Sequence, residues 1–150
     1  MNWQGVCIHH SATRDSQTSS WEAIRNWHIH HNRWSEIGYH YGVEDVAGSL
    51  RTRIGRPLNF PGAHAPALNR SHIGLVVIGD YDRELPSQTR INYLALLIAD
   101  MIRFYGWPLN EETLRYHRDV ADRTCPGELF PPKEVLIARV QRCLNGELLP

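Results

Sequence analysis

Two stretches of the chain place histidine and cysteine where they could bind a metal ion: VCIHHSATRD at residues 6–15 and YHRDVADRTCPG at residues 116–127. In the second stretch His117 and Cys125 lie too far apart for one helical face, so a loop must fold back if they are to meet. Two imidazoles and one thiolate form a catalytic zinc set that leaves the fourth tetrahedral position to water. We therefore expect zinc, with a histidine of the first stretch as the third ligand.

The first stretch is predicted to begin with a short buried strand at residues 4–9. Side chains alternate along a strand, so His9 and His10 point to opposite faces of the sheet and only one of them can readily serve the site. His9 shares its face with Cys7, and His10 shares its face with Ile8. The alternation by itself leaves open which face carries the site.

The elements that would position these ligands follow from periodicity and turn chemistry. A helix is predicted to begin after a cap at Ser19 or Ser20. Three- and four-residue spacing predicts its core-facing stripe as Trp21, Ile24, Trp27, His28 and His31. The later elements are predicted as a hairpin of 38–46 and 49–55, a central strand at 72–79, a helix from Ser87 to Tyr105, a short strand within 114–120 and a helix opened by Pro131 and Pro132. Strands interleaved with helices indicate an α/β domain with helices on the faces of a sheet.

The bulk composition bounds the class of protein. A chain of 150 residues with 42% hydrophobic content is the size of one domain, residues 1–150, with a core of its own. Its 16 basic and 16 acidic side chains cancel, so neither nucleic acid nor an anionic membrane is expected as a partner. The three cysteines are widely spaced, which is not typical of a disulfide scaffold and favours a reducing compartment.

The amino terminus, MNWQGVCIHH, lacks a basic region followed by a long apolar stretch. No stretch of the sequence approaches the ~20 apolar residues of a membrane span. We therefore expect a protein that is made in the cytoplasm without an export signal.

Five segments, taken together and in this order, resemble the type-2 zinc amidases, the N-acetylmuramoyl-L-alanine amidases that include short phage lysozymes and the peptidoglycan-recognition proteins. The segments are IHHSAT, IRNWH, GYHY, GAHAPALNRSHIGLVVIG and YHRDVADRTCPG. The resemblance covers nearly the whole chain, and it implies a single α/β domain with a central mixed β-sheet flanked by helices. It also implies one Zn²⁺ per chain.

The resemblance gives roles to individual residues. It implies that His9, His117 and Cys125 are the zinc ligands and that Tyr39 assists catalysis. An open zinc site would lower the pKa of its bound water to near ~7 and polarise the scissile carbonyl. Tyr39 would donate a hydrogen bond to the developing oxyanion.

Two positions depart from the family pattern. Short phage lysozymes carry a lysine two residues before the cysteine ligand, where this chain has Arg123. Because arginine keeps its proton at working pH, Arg123 could stabilise an oxyanion or contact substrate but could not shuttle protons. The second departure is His72, at a position where the family more often has serine.

Three further residues are candidates for substrate binding. His64 and Asn69, in the loop GAHAPALN, could contact the glycan or the peptide, with an ordinary loop role as the alternative. Trp34 is the tryptophan that we consider for stacking against a sugar. Asp119 is expected to orient the zinc loop, to pair with Arg118 or to fix a ligand imidazole. Structural roles are expected for His28, His30, His31, His40, Cys7 and Cys143.

The resemblance implies zinc-dependent hydrolysis of the amide bond between N-acetylmuramic acid and L-alanine in peptidoglycan. The small single-domain form favours a phage or prophage endolysin, a monomer that acts on the cell wall after release. Two alternatives stay open: a cytosolic amidase that trims recycled muropeptides, and a peptidoglycan-binding module of the kind that loses the cysteine ligand. Retention of Cys125 favours the enzyme.

Overall fold

The computed structural model describes residues 1–14 and 20–149, so the alternative cap Ser19 lies outside the described residues. Its elements are β1 (Gly5–His10), α1 (Trp21–Asn26), β2 (Tyr41–Val46), β3 (Ser49–Ile54), β4 (His72–Val77), α2 (Gln88–Tyr105), β5 (Leu114–Tyr116) and α3 (Lys133–Leu144). A π-helical turn (Trp27–His31) continues α1, and a 3-10 turn (His117–Asp119) follows β5. Within those two described ranges, no helix has the length and apolar content needed to span a bilayer.

The five strands form one mixed sheet in the order β3-β2-β4-β1-β5. β1 pairs in parallel with both β4 and β5, β2 pairs in parallel with β4, and β2 and β3 form an antiparallel hairpin. Every residue of the two central strands, β1 and β4, is buried. This architecture confirms the predicted single α/β domain with a mixed sheet between helices.

The predicted hairpin is confirmed by the geometry of its turn. Ala47 and Gly48 have φ values of 52° and 81°, as a two-residue hairpin turn with both central residues left-handed requires. The Gly48 N–H donates to the Asp45 carboxylate at 2.7 Å, which closes the turn.

Alternating side chains of β1 divide the interior into two layers. On one face, Val6 and Ile8 pack with α2 and α3 in the main hydrophobic core. On the opposite face α1 packs through Trp21, and Cys7 lies in a small cluster beneath a connecting loop. His9 follows Cys7 at the same alternation and therefore lies on the face away from α2 and α3.

Helix α2 begins and ends where the sequence predicts. The Ser87 side chain accepts a hydrogen bond from the Arg90 N–H at 3.2 Å, and Gly106 ends the helix with a left-handed φ of 68°. Such a cap contributes about 1 kcal/mol, whereas one fully buried aliphatic side chain contributes about 1.5–3 kcal/mol. The buried side chains of α2 are Ile91, Leu94, Ala95, Ile98, Ala99, Met101 and Ile102. Packing of this face therefore stabilises α2 more than its cap does.

For the first helix, the predicted start is confirmed and the predicted core-facing stripe is wrong. Ser20 caps it by accepting from the Ala23 N–H, and Trp21 is buried. Trp27, predicted to face the core, is 57% exposed and stacks on His31 with ring centroids 3.8 Å apart. The π-helical turn is the physical reason, because i to i+5 bonding rotates the side chains out of the 3.6-residue period on which the stripe was based.

Candidate metal centre and active-site cleft

The paired ends of β1 and β5 bring two histidines together. The strands run parallel with Ile8 opposite Tyr116, so the next residues, His9 and His117, emerge side by side at the carboxyl ends. Their ring centroids are 4.6 Å apart. This edge is where parallel sheets commonly place ligand sites.

The loop that carries Cys125 folds back onto these histidines, as the spacing of His117 and Cys125 required. Arg118 fastens it twice, because its backbone N–H donates to the Cys125 carbonyl at 2.8 Å and its guanidinium donates to the Gly127 carbonyl at 2.9 Å. The Cys125 Sγ then lies 3.7 Å from Nδ1 of His9. The ligand atoms of His9, His117 and Cys125 all lie within 4.8 Å of one another.

This donor set suits zinc in its chemistry as well as its spacing. Burial holds the pKa of His9 well below its ordinary value and also lowers that of His117, so both imidazoles stay neutral and able to ligate. Burial raises the pKa of Cys125 to about 11, so the free thiol keeps its proton at neutral pH until a cation displaces it. The backbone N–H of His10 donates to the Cys125 sulfur and favours the thiolate. Two imidazoles and a thiolate are ordinary ligands of catalytic Zn²⁺.

A rival ligand set of Cys7, His9 and His64 also has its atoms within 4.8 Å of one another. Two of its three imidazole and thiol groups already bond to each other, because His9 Nε2 lies 3.0 Å from Nδ1 of His64. The other nitrogen of His9 faces Cys125. Burial also raises the pKa of Cys7 well above that of Cys125. The set with His117 and Cys125 is therefore the better metal site.

A third cluster, formed by His10, Asp80 and Asp82, is structural rather than metal-binding. Nδ1 of His10 accepts from the Tyr81 backbone N–H at 3.2 Å, so a neutral His10 carries its proton on Nε2, which faces Asp82 at 3.8 Å. Neither nitrogen keeps a lone pair for a cation. His10, the histidine that the sequence could not separate from His9, therefore belongs to the fold.

Tyr39 and Arg123 line the cleft above the ligands. Both border a cavity of about 400 Å³ that holds His9, His117 and Cys125, and an adjoining groove of about 640 Å³. The Tyr39 ring lies 5.2 Å from the His9 ring, and burial raises the pKa of its hydroxyl, which therefore stays a hydrogen-bond donor. Arg123 is exposed, and in residues 1–14 and 20–149 its guanidinium makes no hydrogen bond or ion pair.

The three predicted substrate-binding residues all line the adjoining groove. Trp34 forms part of its wall, with its ring 4.8 Å from that of His28. The Asn69 carboxamide oxygen accepts from the backbone N–H groups of His64 and Ala65 at 2.8 and 2.9 Å. His64 is only 9% exposed, and both its ring nitrogens contact protein atoms. Substrate contact by these three residues stays a prediction.

Supporting residues of the Cys125 loop left no signal in the sequence. Asp82 accepts from the Thr124 hydroxyl and from the Glu128 backbone N–H, both at 2.9 Å, and so holds the loop on either side of Cys125. Asp82 comes from the turn after β4, and only the folded chain brings it to this loop. Its role follows from contacts across more than 40 residues of sequence.

Asp119 holds the segment that carries His117, as one of its predicted roles required. Its carboxylate accepts from the Tyr116 backbone N–H at 2.8 Å and from Lys133 at 2.6 Å. The alternative of pairing with Arg118 is wrong, because that guanidinium turns to the Cys125 loop instead.

The departure at His72 also has a structural account. The His72 imidazole bonds to the Ser71 hydroxyl at 2.9 Å and donates to the Glu112 carbonyl at 2.8 Å. It thereby ties the start of β4 to the segment before β5.

Comparison with known proteins identifies the family. The chain matches the family model described as N-acetylmuramoyl-L-alanine amidase over residues 1–128, and it therefore belongs to this family. The resemblance stated from the sequence is confirmed.

Its relatives include recognition proteins and phage enzymes. It is 35% identical over 129 residues to peptidoglycan-recognition protein LB of Drosophila melanogaster, a match that spans 81% of this chain but only 53% of that protein. It is 29% identical over 130 residues to the endolysin of Enterobacteria phage T3, with 82% of this chain and 80% of the endolysin covered.

Solved structures confirm the fold. The N-acetylmuramoyl-L-alanine amidase LysCS, an endolysin from Clostridium intestinale URNW, aligns with a TM-score of 0.76 at 26% identity and covers 94% of this chain and 85% of its own. A mutant of Drosophila PGRP-LB in complex with tracheal cytotoxin aligns with a TM-score of 0.71 at 30% identity, over 86% of this chain and 78% of its own.

Proposed function

We propose that this chain is a zinc-dependent N-acetylmuramoyl-L-alanine amidase that acts on peptidoglycan as an endolysin. Membership of the amidase family and 29% identity to phage endolysins support this function. The observation that carries it is the convergence of His9, His117 and Cys125, within 4.8 Å of one another, in the cavity that Tyr39 and Arg123 line.

The three ligands fit Zn²⁺, which when bound supplies Lewis acidity and lowers the pKa of a water ligand towards ~7. Hydrolysis adds water to the N-acetylmuramoyl carbonyl and breaks its C–N bond, so that L-alanine leaves as an amine. Negative charge develops on the carbonyl oxygen as water adds. The protein must therefore supply hydrogen-bond donors and positive charge at that oxygen.

Tyr39 and Arg123 are the groups of this chain that can meet this need. The Tyr39 hydroxyl keeps its proton because burial raises its pKa, so it donates to the oxyanion rather than repelling it. Arg123 brings a permanent positive charge to the same cavity. Arginine does not release its proton, so Arg123 stabilises charge and does not accept the proton of the attacking water.

The adjoining groove is the proposed binding site for the glycan and stem peptide. Trp34 offers an aromatic wall for a sugar ring, and Asn69 and His64 offer polar groups along the same groove. Relatives named for peptidoglycan recognition, one of them solved with tracheal cytotoxin, support this class of ligand.

Mass analysis of digested peptidoglycan tests the reaction. Purified protein loaded with zinc should release stem peptides with a free L-alanine amine and leave glycan with a free lactyl carboxyl group. Cys125→Ala, at equal concentration, should give neither product. Binding to peptidoglycan without hydrolysis would instead identify a recognition module, and cleavage at another bond would refute the amidase assignment.

The endolysin role is tested by the choice of substrate. An endolysin that is made in the cytoplasm and released to the wall should cleave intact sacculi efficiently. A recycling amidase should prefer soluble muropeptides. Rates measured on both substrates with the same enzyme preparation separate these roles.

A further inference from the structure

The His64 imidazole fits between two glycines that no residue with a side chain could replace without a clash. The side chain is 9% exposed and lies between Gly62 and Gly74. A Cβ at either glycine would come within 2.3 Å of the imidazole. Glycine inside a strand is unfavourable unless something approaches closely, and at Gly74 of β4 the approaching group is this ring.

The backbone of His64 is held as firmly as its ring. The carboxamide oxygen of Asn69 accepts from the N–H groups of His64 and Ala65 at 2.8 and 2.9 Å, and the Asn69 carbonyl accepts from the Gly62 N–H at 2.8 Å. The loop around His64 is thus closed on itself by the side chain and the carbonyl of Asn69. It holds the imidazole in a fixed position against His9 of β1.

The hydrogen bonds of His64 set the position of its proton. Nε2 lies 3.2 Å from the His72 carbonyl oxygen, which can only accept, so His64 carries its hydrogen on Nε2. With its hydrogen on Nε2, the ring of His64 keeps its lone pair on Nδ1. Nδ1 of His64 therefore accepts from Nε2 of His9, 3.0 Å away.

This direction decides which nitrogen of His9 is free. His9 uses Nε2 as the donor of that hydrogen bond. With its hydrogen on Nε2, the lone pair lies on Nδ1, the atom that faces Cys125 Sγ at 3.7 Å. The opposite tautomer would put a hydrogen on Nδ1, where a cation has to bind.

We infer that His64 is a positioning residue that selects the Nε2–H tautomer of His9 and so presents Nδ1 to the metal. The inference rests on the proposed zinc function, and it gives His64 a different task from the substrate contact predicted from sequence. Removing a residue that hydrogen-bonds to the second nitrogen of a metal-binding histidine typically lowers metal affinity by about 10- to 100-fold. The same range is expected here.

The tautomers can be read in the metal-free wild-type protein. Long-range correlations between ring protons and nitrogens in labelled protein should place the hydrogen on Nε2 of both His9 and His64. Hydrogen on Nδ1 of His9 would overturn the inference, whatever the activity of the enzyme. This measurement needs no variant and therefore does not depend on the folding of one.

Zinc affinity of three variants separates positioning from packing. His64→Leu removes the acceptor and should weaken zinc binding about 10- to 100-fold, as measured by competition with a chelating dye. His64→Asn keeps an oxygen acceptor near the Nδ1 position and should recover most of the affinity. His72→Ser is the control, because it removes another buried imidazole but keeps the backbone carbonyl that fixes His64. It should lower thermal stability and leave zinc affinity unchanged.

The results distinguish this inference from the proposed function. If the tautomers of His9 and His64 and the zinc affinities of the variants are as stated but peptidoglycan is not hydrolysed, only the amidase function fails. If hydrolysis proceeds while His64→Leu binds zinc like wild type, or while His72→Ser weakens zinc binding equally, His64 does not select the tautomer of His9.

Discussion

The sulfur of Cys125 lies 3.7 Å from Nδ1 of His9, although 116 residues separate them in the sequence. In the metal-free protein burial raises the pKa of the thiol, which keeps its proton and can donate it to this nitrogen. The contact holds the two groups at a spacing that a single cation can bridge with modest adjustment. The same contact distinguishes the set of His9, His117 and Cys125 from the rival set that contains Cys7, because Nδ1 of His9 faces Cys125.

The first prediction compares these two cysteines. Cys125→Ala should lose stoichiometric zinc and amidase activity, because it removes a ligand. Cys7→Ala should keep both, because Cys7 lies in an apolar cluster on the same face of the sheet. Metal content by elemental analysis and rates of peptide release check both variants. Loss of zinc from Cys7→Ala alone would favour the set with His64.

The second prediction concerns the Tyr39 hydroxyl. Tyr39→Phe should retain zinc and lower turnover by roughly 10² or more, the usual cost of removing one oxyanion donor. Peptidoglycan binding should change little, since the ring remains in the groove wall. Turnover is measured at saturating substrate, with zinc content determined on the same sample. Wild-type turnover would reduce Tyr39 to a structural residue.

The third prediction concerns the charge at position 123. Arg123→Ala should cost about 1.5 to 3 kcal/mol of transition-state stabilisation, the contribution of a charged hydrogen bond. Arg123→Lys should keep most of the activity near neutral pH, because it keeps the charge. Values of kcat/KM across the pH range check both variants.

The pH profile adds a second measure of Arg123. Arginine does not titrate in the accessible range, so the alkaline limb of the wild-type profile should not report this residue. The lysine variant should lose activity at lower pH if its own pKa is depressed beside the metal. An alanine variant equal to wild type at every pH would mean that Arg123 is a solvated loop residue.

The fourth prediction concerns the support of the Cys125 loop by Asp82. Asp82→Ala removes the acceptor for Thr124 and Glu128 and should lower stability by about 1 to 3 kcal/mol, because two hydrogen bonds are lost. Zinc affinity should fall with it, since Cys125 lies between those two anchors. Urea unfolding and dye competition measure the two effects, and Asp122→Ala in the exposed part of the loop is the matched control. Equal zinc affinity in both variants would show that Asp82 does not hold the ligand.

The fifth prediction is acid sensitivity of the metal-free fold. Burial lowers the pKa of seven histidines below the ordinary value of 6.5: His9, His10, His28, His40, His64, His72 and His117. Below that pH the unfolded chain binds more protons than the folded chain, so the free energy of unfolding falls on acidification. Above it the histidines are neutral in both states and this stability is fully present.

Urea unfolding of metal-free protein at a series of pH values measures this dependence. Each such histidine contributes a slope of up to about 1.4 kcal/mol per pH unit between its folded and unfolded pKa values. His72→Ser should reduce the slope, because it removes one of these groups. A free energy of unfolding that stays constant from about pH 7 to about pH 5 would contradict the prediction.

Local patterns in the sequence were sufficient for most of the fold. The β-branched run of β4, the period of α2 with its Ser87 cap, and the two-residue hairpin turn each carry a local pattern that the folded chain keeps. They failed along α1, where a π-helical turn moved Trp27 to the surface. A change of helical period depends on how the next segment is anchored, here by Gly38 bonding to His28, and not on the local apolar spacing.

The sequence by itself determined the types of the candidate metal ligands, the need for a loop that folds back to Cys125, and a positive charge without a transferable proton at Arg123. Only the tertiary structure decided that His9 rather than His10 enters the site, because α2 and α3 cover the face of β1 that carries Val6 and Ile8. It also decided the partner of His9, since His64 lies 55 residues away and contacts it through a slot between two glycines. Strand alternation by itself does not distinguish the two faces, and only long-range packing covers one of them with α2 and α3 and leaves the other to the site.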